Sequence, residues 1–498
     1  MTFDLWFLLI LLGLMTYSIV QRSVANITRT PVWILWLVMM TPAFSWVAWI
    51  LIYGDRSMPL LLLLGLCIGC PILYGWLVQK GRINTNPPPN DTSGENININ
   101  NTFQPSIEPN SVCPIDKDEE PLLKECFAWT VYALHELEYR PQAVICRGQL
   151  RSEPGLAYQT IRKNIENKFG DRFLVVFEES LTNNKPFFII VPNPFRNIQA
   201  EPFKPPLVAL ALLLITIFTT TVFGTKIADI SPQNLQANAA LLWQGLPYSL
   251  GIVVILAVHE LGHYFTAKLY QISTALPYFI PLPPPFLVGT LGAFTQMRSP
   301  IPHRKALFDI SITGPIVGFI ATIPLLIWGL SHSTIVDLTD NSGLLNFNSL
   351  NPRFSFLFTL ISKLVMGNAL IANKAIDLHP IAVAGYLGLI LTALNLMPVG
   401  PLDGGRIVHA MYGRWKGAAI GQIARLLLLV MSIIQLPKNP ELFIWAIFLF
   451  LIPVIDEPAL NDVSELDNYR DLWGLLTIAL LILIILPTPN SVINWLNL

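Results

Sequence analysis

Charge is scarce in this chain. Of its 498 residues, 13% are Asp, Glu, Lys or Arg, about half the share of an ordinary soluble domain. The 31 basic and 32 acidic residues nearly cancel, for a net charge of -1. No basic surplus exists to bind nucleic acid. Cysteine is thin as well, and five cysteines exclude a disulfide-stapled scaffold. Cys67 and Cys70 form a C-x-x-C pair inside the apolar run 58–78, with no histidine or further cysteine near in sequence. They read as two small helix residues, not a redox or metal pair. The apolar N-terminus lacks a basic n-region, carries Asp4 instead, and shows no small-residue cleavage site. Residues 2–20 are therefore expected to stay as a membrane helix. No Arg/Ser-rich presequence stands before them, which predicts a bacterial source.

What is present is apolar: 53% of the residues are hydrophobic. Runs near the 17–25 residues that cross a bilayer core occur at 2–20, 31–53, 58–78, 206–224, 245–269, 306–330, 379–397, 417–436, 442–455 and 472–486. The expected fold class is an all-α polytopic membrane protein of about ten transmembrane helices, with a small inserted α+β soluble domain. The lipid bilayer is thus its first expected partner.

Two stretches break the apolar pattern. Residues 83–118 are crowded with Asn and Pro, cannot bury a core, and predict a disordered linker. Residues 119–200 have the composition of a soluble module. Helices are expected over 122–137 and 154–169, the second starting at Pro154 and stopped by Gly170. Strands are expected over 143–150, 173–177 and 187–191. The remaining divisions are N-terminal membrane helices at 1–82, a core at 205–470, and a C-terminal helix and tail at 471–498. Lys and Arg cluster after alternate spans (Arg22, Arg29, Lys80, Arg82, Arg298, Arg304, Lys305, Arg406, Arg414, Lys416, Arg470). That bias predicts a cytoplasmic soluble module.

The chemistry concentrates in His259-Glu260-Leu261-Gly262-His263, near the end of the apolar run 245–269. Ionisable groups are costly in a membrane segment and usually mark a site. Histidines at i and i+4 share one helical face and can bind one metal ion, and the adjacent glutamate can take a proton from water there. A hydrolytic zinc site needs three protein ligands and an open position. Asp403 is the candidate for the third. It lies in Asn395-Leu396-Met397-Pro398-Val399-Gly400-Pro401-Leu402-Asp403-Gly404-Gly405-Arg406, where prolines end a span and glycines allow close backbone approach. Asp309 is the reserve, otherwise expected to pair with Arg304 or Lys305. His379 and His409 are expected at interfaces. A soluble-type site with Glu441 or Glu457 as third ligand lacks any comparable motif. The Pro-rich stretch 275–296 is too broken for a helix, and its extended segments could pair with an unwound substrate strand.

These motifs resemble the site-2 protease family of intramembrane zinc metalloproteases. Gly314-Pro315-Ile316-Val317-Gly318 in the next span also matches. Gly289-Thr290-Leu291-Gly292-Ala293-Phe294 looks most like the plastid and cyanobacterial branch related to the ethylene-dependent gravitropism-deficient proteins. The resemblance covers roughly residues 206–470. It implies a six-helix core and one Zn2+ ion held by His259, His263 and Asp403. Glu260 is implied as general base, with cleavage of a transmembrane protein substrate near the cytoplasmic membrane face. It further implies that Asn395 helps hold the substrate strand or the transition state, and that Gly314 and Gly318 permit close helix packing. The alternative is a non-proteolytic metal-binding membrane protein, or a transporter with an intramembrane ion pathway. Transport does not call for a base beside paired ligands.

Overall fold

A computed structural model describes residues 30–53, 117–140, 142–180, 185–194, 206–282, 287–339, 342–435 and 440–496. It also describes Ile115 and scattered positions before residue 81. Residues 83–114 of the expected linker, Cys67, and most of the first and third expected spans lie outside the described residues. The chain divides into two compact units, Met1–Ile107 and Glu108–Leu498. In the first, helix α1 (Val32–Tyr53) buries Leu35 and Met40, and the Trp36 indole N–H donates to the Gly13 carbonyl at 2.8 Å.

The second unit begins with the module. Helix α2 (Glu120–Cys126) leads to strands β1 (Tyr132–Arg140) and β2 (Ala143–Leu150). Helix α3 (Pro154–Phe169) then precedes β3 (Phe173–Glu179) and β4 (Pro186–Pro192). The sheet is antiparallel, in the order β1-β2-β4-β3. Alternate residues Val144 and Cys146, Val175 and Phe177, and Phe188 and Ile190 point to one face, as the two-residue strand period requires. Ile161 and Ile165 of α3 close that face.

One expectation fails here. The helix expected over 122–137 ends at Cys126, and a strand follows. The register of β1 against β2 shifts between Leu134 and Glu136, so one residue is inserted as a bulge. The insertion puts the half-buried Leu134 and Leu137 three apart, a spacing that imitates a helix.

The longer helices that follow are α4 (Pro206–Ile227), α5 (Leu246–Leu269), α6 (Arg304–Ser331), α7 (Phe356–Met366), α8 (Pro380–Leu396), α9 (Asp403–Tyr412), α10 (Arg414–Gln435), α11 (Pro440–Leu451) and α12 (Asn468–Ile485). Among the described residues, five helical segments are long and apolar enough to cross a membrane: α4, Ala239–Leu269 containing α5, α6, α10 and α12. The described residues do not confirm the expected figure of about ten. Helix α8 stops at 17 residues because Met397 must be extended ahead of Pro398. Helix α11 has 12.

Helices α5, α6 and α8 pack on one another, and α9 packs on α6 and α10. Small residues let the axes close in: a Cβ on Gly329 of α6 would lie 2.3 Å from the Ala382 nitrogen of α8. Between α5 and α6 a hairpin forms from β5 (Tyr278–Pro281) and β6 (Thr290–Phe294). Its turn is anchored within the helices: Thr219 of α4 donates to the Gly289 carbonyl at 2.7 Å, and Tyr248 of α5 to the Val288 carbonyl at 2.8 Å.

Module and helices meet along the loop between α11 and α12. Phe177 N–H donates to the Leu460 carbonyl at 2.8 Å, and Asp462 N–H to the Phe177 carbonyl at 2.9 Å. Leu460 and Val463 belong to the module's own core. Arg414 donates to Glu178 at 2.8 Å. Burial pushes the Glu178 carboxyl up from its usual range, against the pull of that guanidinium.

Phe188 is fully buried, stacked on Phe177 with ring centroids 4.1 Å apart. Phe188→Ala is expected to cost the module about 3–5 kcal/mol. Hydrogen exchange of β3 and β4 in the full chain measures the loss.

Candidate metal centre

Helix α5 presents His259 and His263 on one face, and both are buried, 6% and 8% exposed. Their Nε2 atoms are 3.1 Å apart. Asp403, the first residue of α9, places Oδ2 3.3 Å from each Nε2. Among the described residues, these three form the one His/Cys/Asp/Glu group able to hold a metal ion. Ligand atoms about 2.0–2.1 Å from a tetrahedral zinc stand about 3.3 Å from one another. The triangle seen here has that size. Two imidazoles and a carboxylate aimed at one point, with little water, require a cation to offset their lone pairs. The donor set therefore fits zinc.

Local structure holds each ligand. The ring of His263 is fixed from behind by its Nδ1, 2.8 Å from the Ile310 carbonyl. Nδ1 carries the proton in that contact, which leaves the Nε2 lone pair for a metal. The rings lie on glycines of α6. A Cβ on Gly314 would sit 2.2 Å from His263 Nε2, and one on Gly318 would sit 3.1 Å from His259. Asp403 reaches the centre because α9 starts directly beneath the end of α8. A Cβ on Gly404 would lie 1.9 Å from the Leu396 carbonyl oxygen, so only glycine fits there. The first turn of a helix also favours a negative charge.

Glu260 is 6% exposed and accepts a hydrogen bond at Oε2 from the Thr295 hydroxyl at 2.8 Å. Asn395 sets its amide nitrogen 3.3 Å from His259 Nε2. A cavity of about 160 Å3 is lined by all five expected site residues, by Ala293, Phe294 and Thr295 at the end of β6, and by Arg406. The extended stretch expected within 275–296 thus forms one cavity wall.

Other expected positions fall elsewhere. Asp309 does not reach the site and does not pair with Arg304 or Lys305. Arg470 of α12 donates to both its oxygens at 2.8 and 2.7 Å, and the Tyr270 hydroxyl donates to it. His379 accepts from Ile381 N–H at the start of α8. His409 is buried against Asp462 at 2.9 Å. Glu441 and Glu457 lie outside the metal-ligating group. Sequence reasoning missed Thr295, the Ile310 carbonyl, and the seats at Gly314 and Gly318, which it took as general helix packing. A signal for the seats existed: the two glycines have the same four-residue spacing as the two histidines.

Residues 247–436 match the model of Peptidase family M50. The chain also matches the EGY3 middle domain over residues 121–199. Its similar proteins include "Probable zinc metalloprotease EGY2, chloroplastic" of Oryza sativa subsp. indica, 27% identical over 376 residues, 74% of this chain and 66% of the relative. The protein of the same name in Arabidopsis thaliana is 29% identical over 375 residues, 73% of this chain and 64% of the relative. "Probable zinc metalloprotease EGY1, chloroplastic" of Arabidopsis thaliana is 32% identical over 259 residues, 52% of this chain and 46% of the relative. The chain thus spans just under two thirds of the length of the first of these relatives. Chloroplastic relatives do not fit the bacterial source expected from the sequence.

Gly314→Ala is expected to displace the His263 ring and weaken Zn2+ binding by about 10–100-fold. Chelator competition on the purified full chain measures it. Thr295→Val, which only frees Glu260, is expected to leave metal affinity unchanged.

Proposed function

We propose that this chain is a zinc-dependent endopeptidase that hydrolyses a peptide bond of a transmembrane protein substrate within the membrane, close to the face that holds the soluble module. One observation carries the reading: the His259–His263–Asp403 triangle shares a small cavity with the carboxylate of Glu260. A transport pathway has no use for a base fixed beside paired ligands. The names of the similar proteins, zinc metalloproteases, point the same way.

His259, His263 and Asp403 would hold one zinc ion. Bound there, zinc supplies a Lewis acid that polarises a peptide carbonyl and acidifies water. Glu260, oriented by Thr295, accepts the proton of the attacking water and delivers it to the departing amine nitrogen. The Asn395 amide, beside His259, offers a donor for the substrate carbonyl as charge grows on its oxygen.

A helical substrate hides its amides in i to i−4 hydrogen bonds, so the cut segment must unwind. Strand β6 ends on the cavity wall with Ala293 and Phe294. An unwound segment lying along it would pair its backbone by edge addition. That brings the scissile carbonyl in an extended form, the only form open to attack.

Glu260→Gln is expected to retain stoichiometric zinc and to lose about 10^2–10^4-fold in cleavage rate. His259→Ala and Asp403→Ala are expected to lose both metal and activity. Metal analysis and cleavage of a membrane-embedded test substrate in proteoliposomes measure these; full activity in Glu260→Gln would reject the assigned base.

A further inference from the structure

Helix α9 starts with Asp403 and is ten residues long, about 15 Å. Three of its residues, Asp403, Arg406 and His409, follow at i, i+3 and i+6 and so fall along one side. The first points to the histidines of α5. The other two are held by a single loop, the one between α11 and α12. Arg406 Nε donates to Asp456 Oδ2 at 2.7 Å. His409 Nε2 lies 2.9 and 3.0 Å from the two oxygens of Asp462. His409 and Asp462 are both buried, 4% and 7% exposed. Two polar pins from one loop fix how far α9 slides and how it is rotated.

The soluble module in turn holds that loop. Residues 459–463 are all buried. Asn461 lies between the edge of β3 and the segment ahead of α6, in isolated parallel bridges with Phe177 and His303. Leu460 N–H donates to the Ile301 carbonyl at 2.9 Å and Asn461 N–H to the Pro302 carbonyl at 3.0 Å. With Leu460 and Val463 inside the module's core, the loop cannot shift without disturbing the module.

We propose that Asp462 is a positioning residue for the metal centre: through His409 it sets α9, and thereby Asp403, and it is the point at which the soluble module acts on the site. The proposal rests on the zinc reading above. Asp403 meets two ring nitrogens at 3.3 Å, and a slide of α9 by about 1 Å is enough to degrade such a ligand geometry. Groups that orient a ligand from outside contribute about 10–100-fold to metal affinity.

The test is the zinc Kd of the full-length protein in detergent, by chelator competition, together with its helical circular dichroism and unfolding midpoint. Asp462→Ala is expected to weaken zinc by about 10–100-fold with helicity retained. Asp462→Asn keeps an acceptor for His409 and is expected to recover most of the affinity. Wild-type affinity in Asp462→Ala overturns the proposal, as does equal weakening in both variants. Should Asp462→Ala not fold, His409→Gln decides: weakened binding in a folded protein supports the proposal and unchanged binding overturns it. His263→Ala serves as reference. If it binds zinc as tightly as wild type, the zinc reading falls and this proposal with it; if only the reference loses zinc, the proposal alone falls.

Discussion

Everything in the helical part of this protein depends on three electron-pair donors meeting inside apolar surroundings. Two come from adjacent turns of α5 and one from the start of α9, 140 residues further along in sequence from His263. Bringing such groups together out of water is unfavourable unless a cation is shared among them. The fold therefore has to force the meeting. It does so by close contact of α5 with α6, where glycine surfaces accept imidazoles, and by the tight reversal that starts α9 under the end of α8. The short spans and broken backbone are the geometric consequence.

The site was largely legible in the sequence. Histidines at i and i+4 with a glutamate between them define a face whatever the tertiary structure. Asp403 stood out because prolines and glycines crowd around a lone carboxylate. What stayed hidden was relational. Nothing in the sequence ties Asp462 to His409 or Arg470 to Asp309, because both pairs join segments far apart in the chain. A hydroxyl such as that of Thr295 has no local pattern that marks it as the partner of Glu260.

The α+β module was legible element by element, except at β1, where a bulge turned a strand period into a helix period. Its role could not be read from its own residues, since among the described ones no metal-ligating group forms. The role lies at its edge. Strand β3 would be a bare sheet edge, prone to pairing with other chains, were it not covered by residues 459–463 of the helical part. The match of residues 121–199 to a named domain of its own is compatible with a module that depends on borrowed residues to complete its core.

The seat behind His263 has one more effect. With Gly314 against its face and the Ile310 carbonyl on Nδ1, the ring has no room to turn over. Its orientation is thus set by the protein itself. Loading and losing the ion cost this side chain little rotational freedom, so the binding energy is not spent on ordering it.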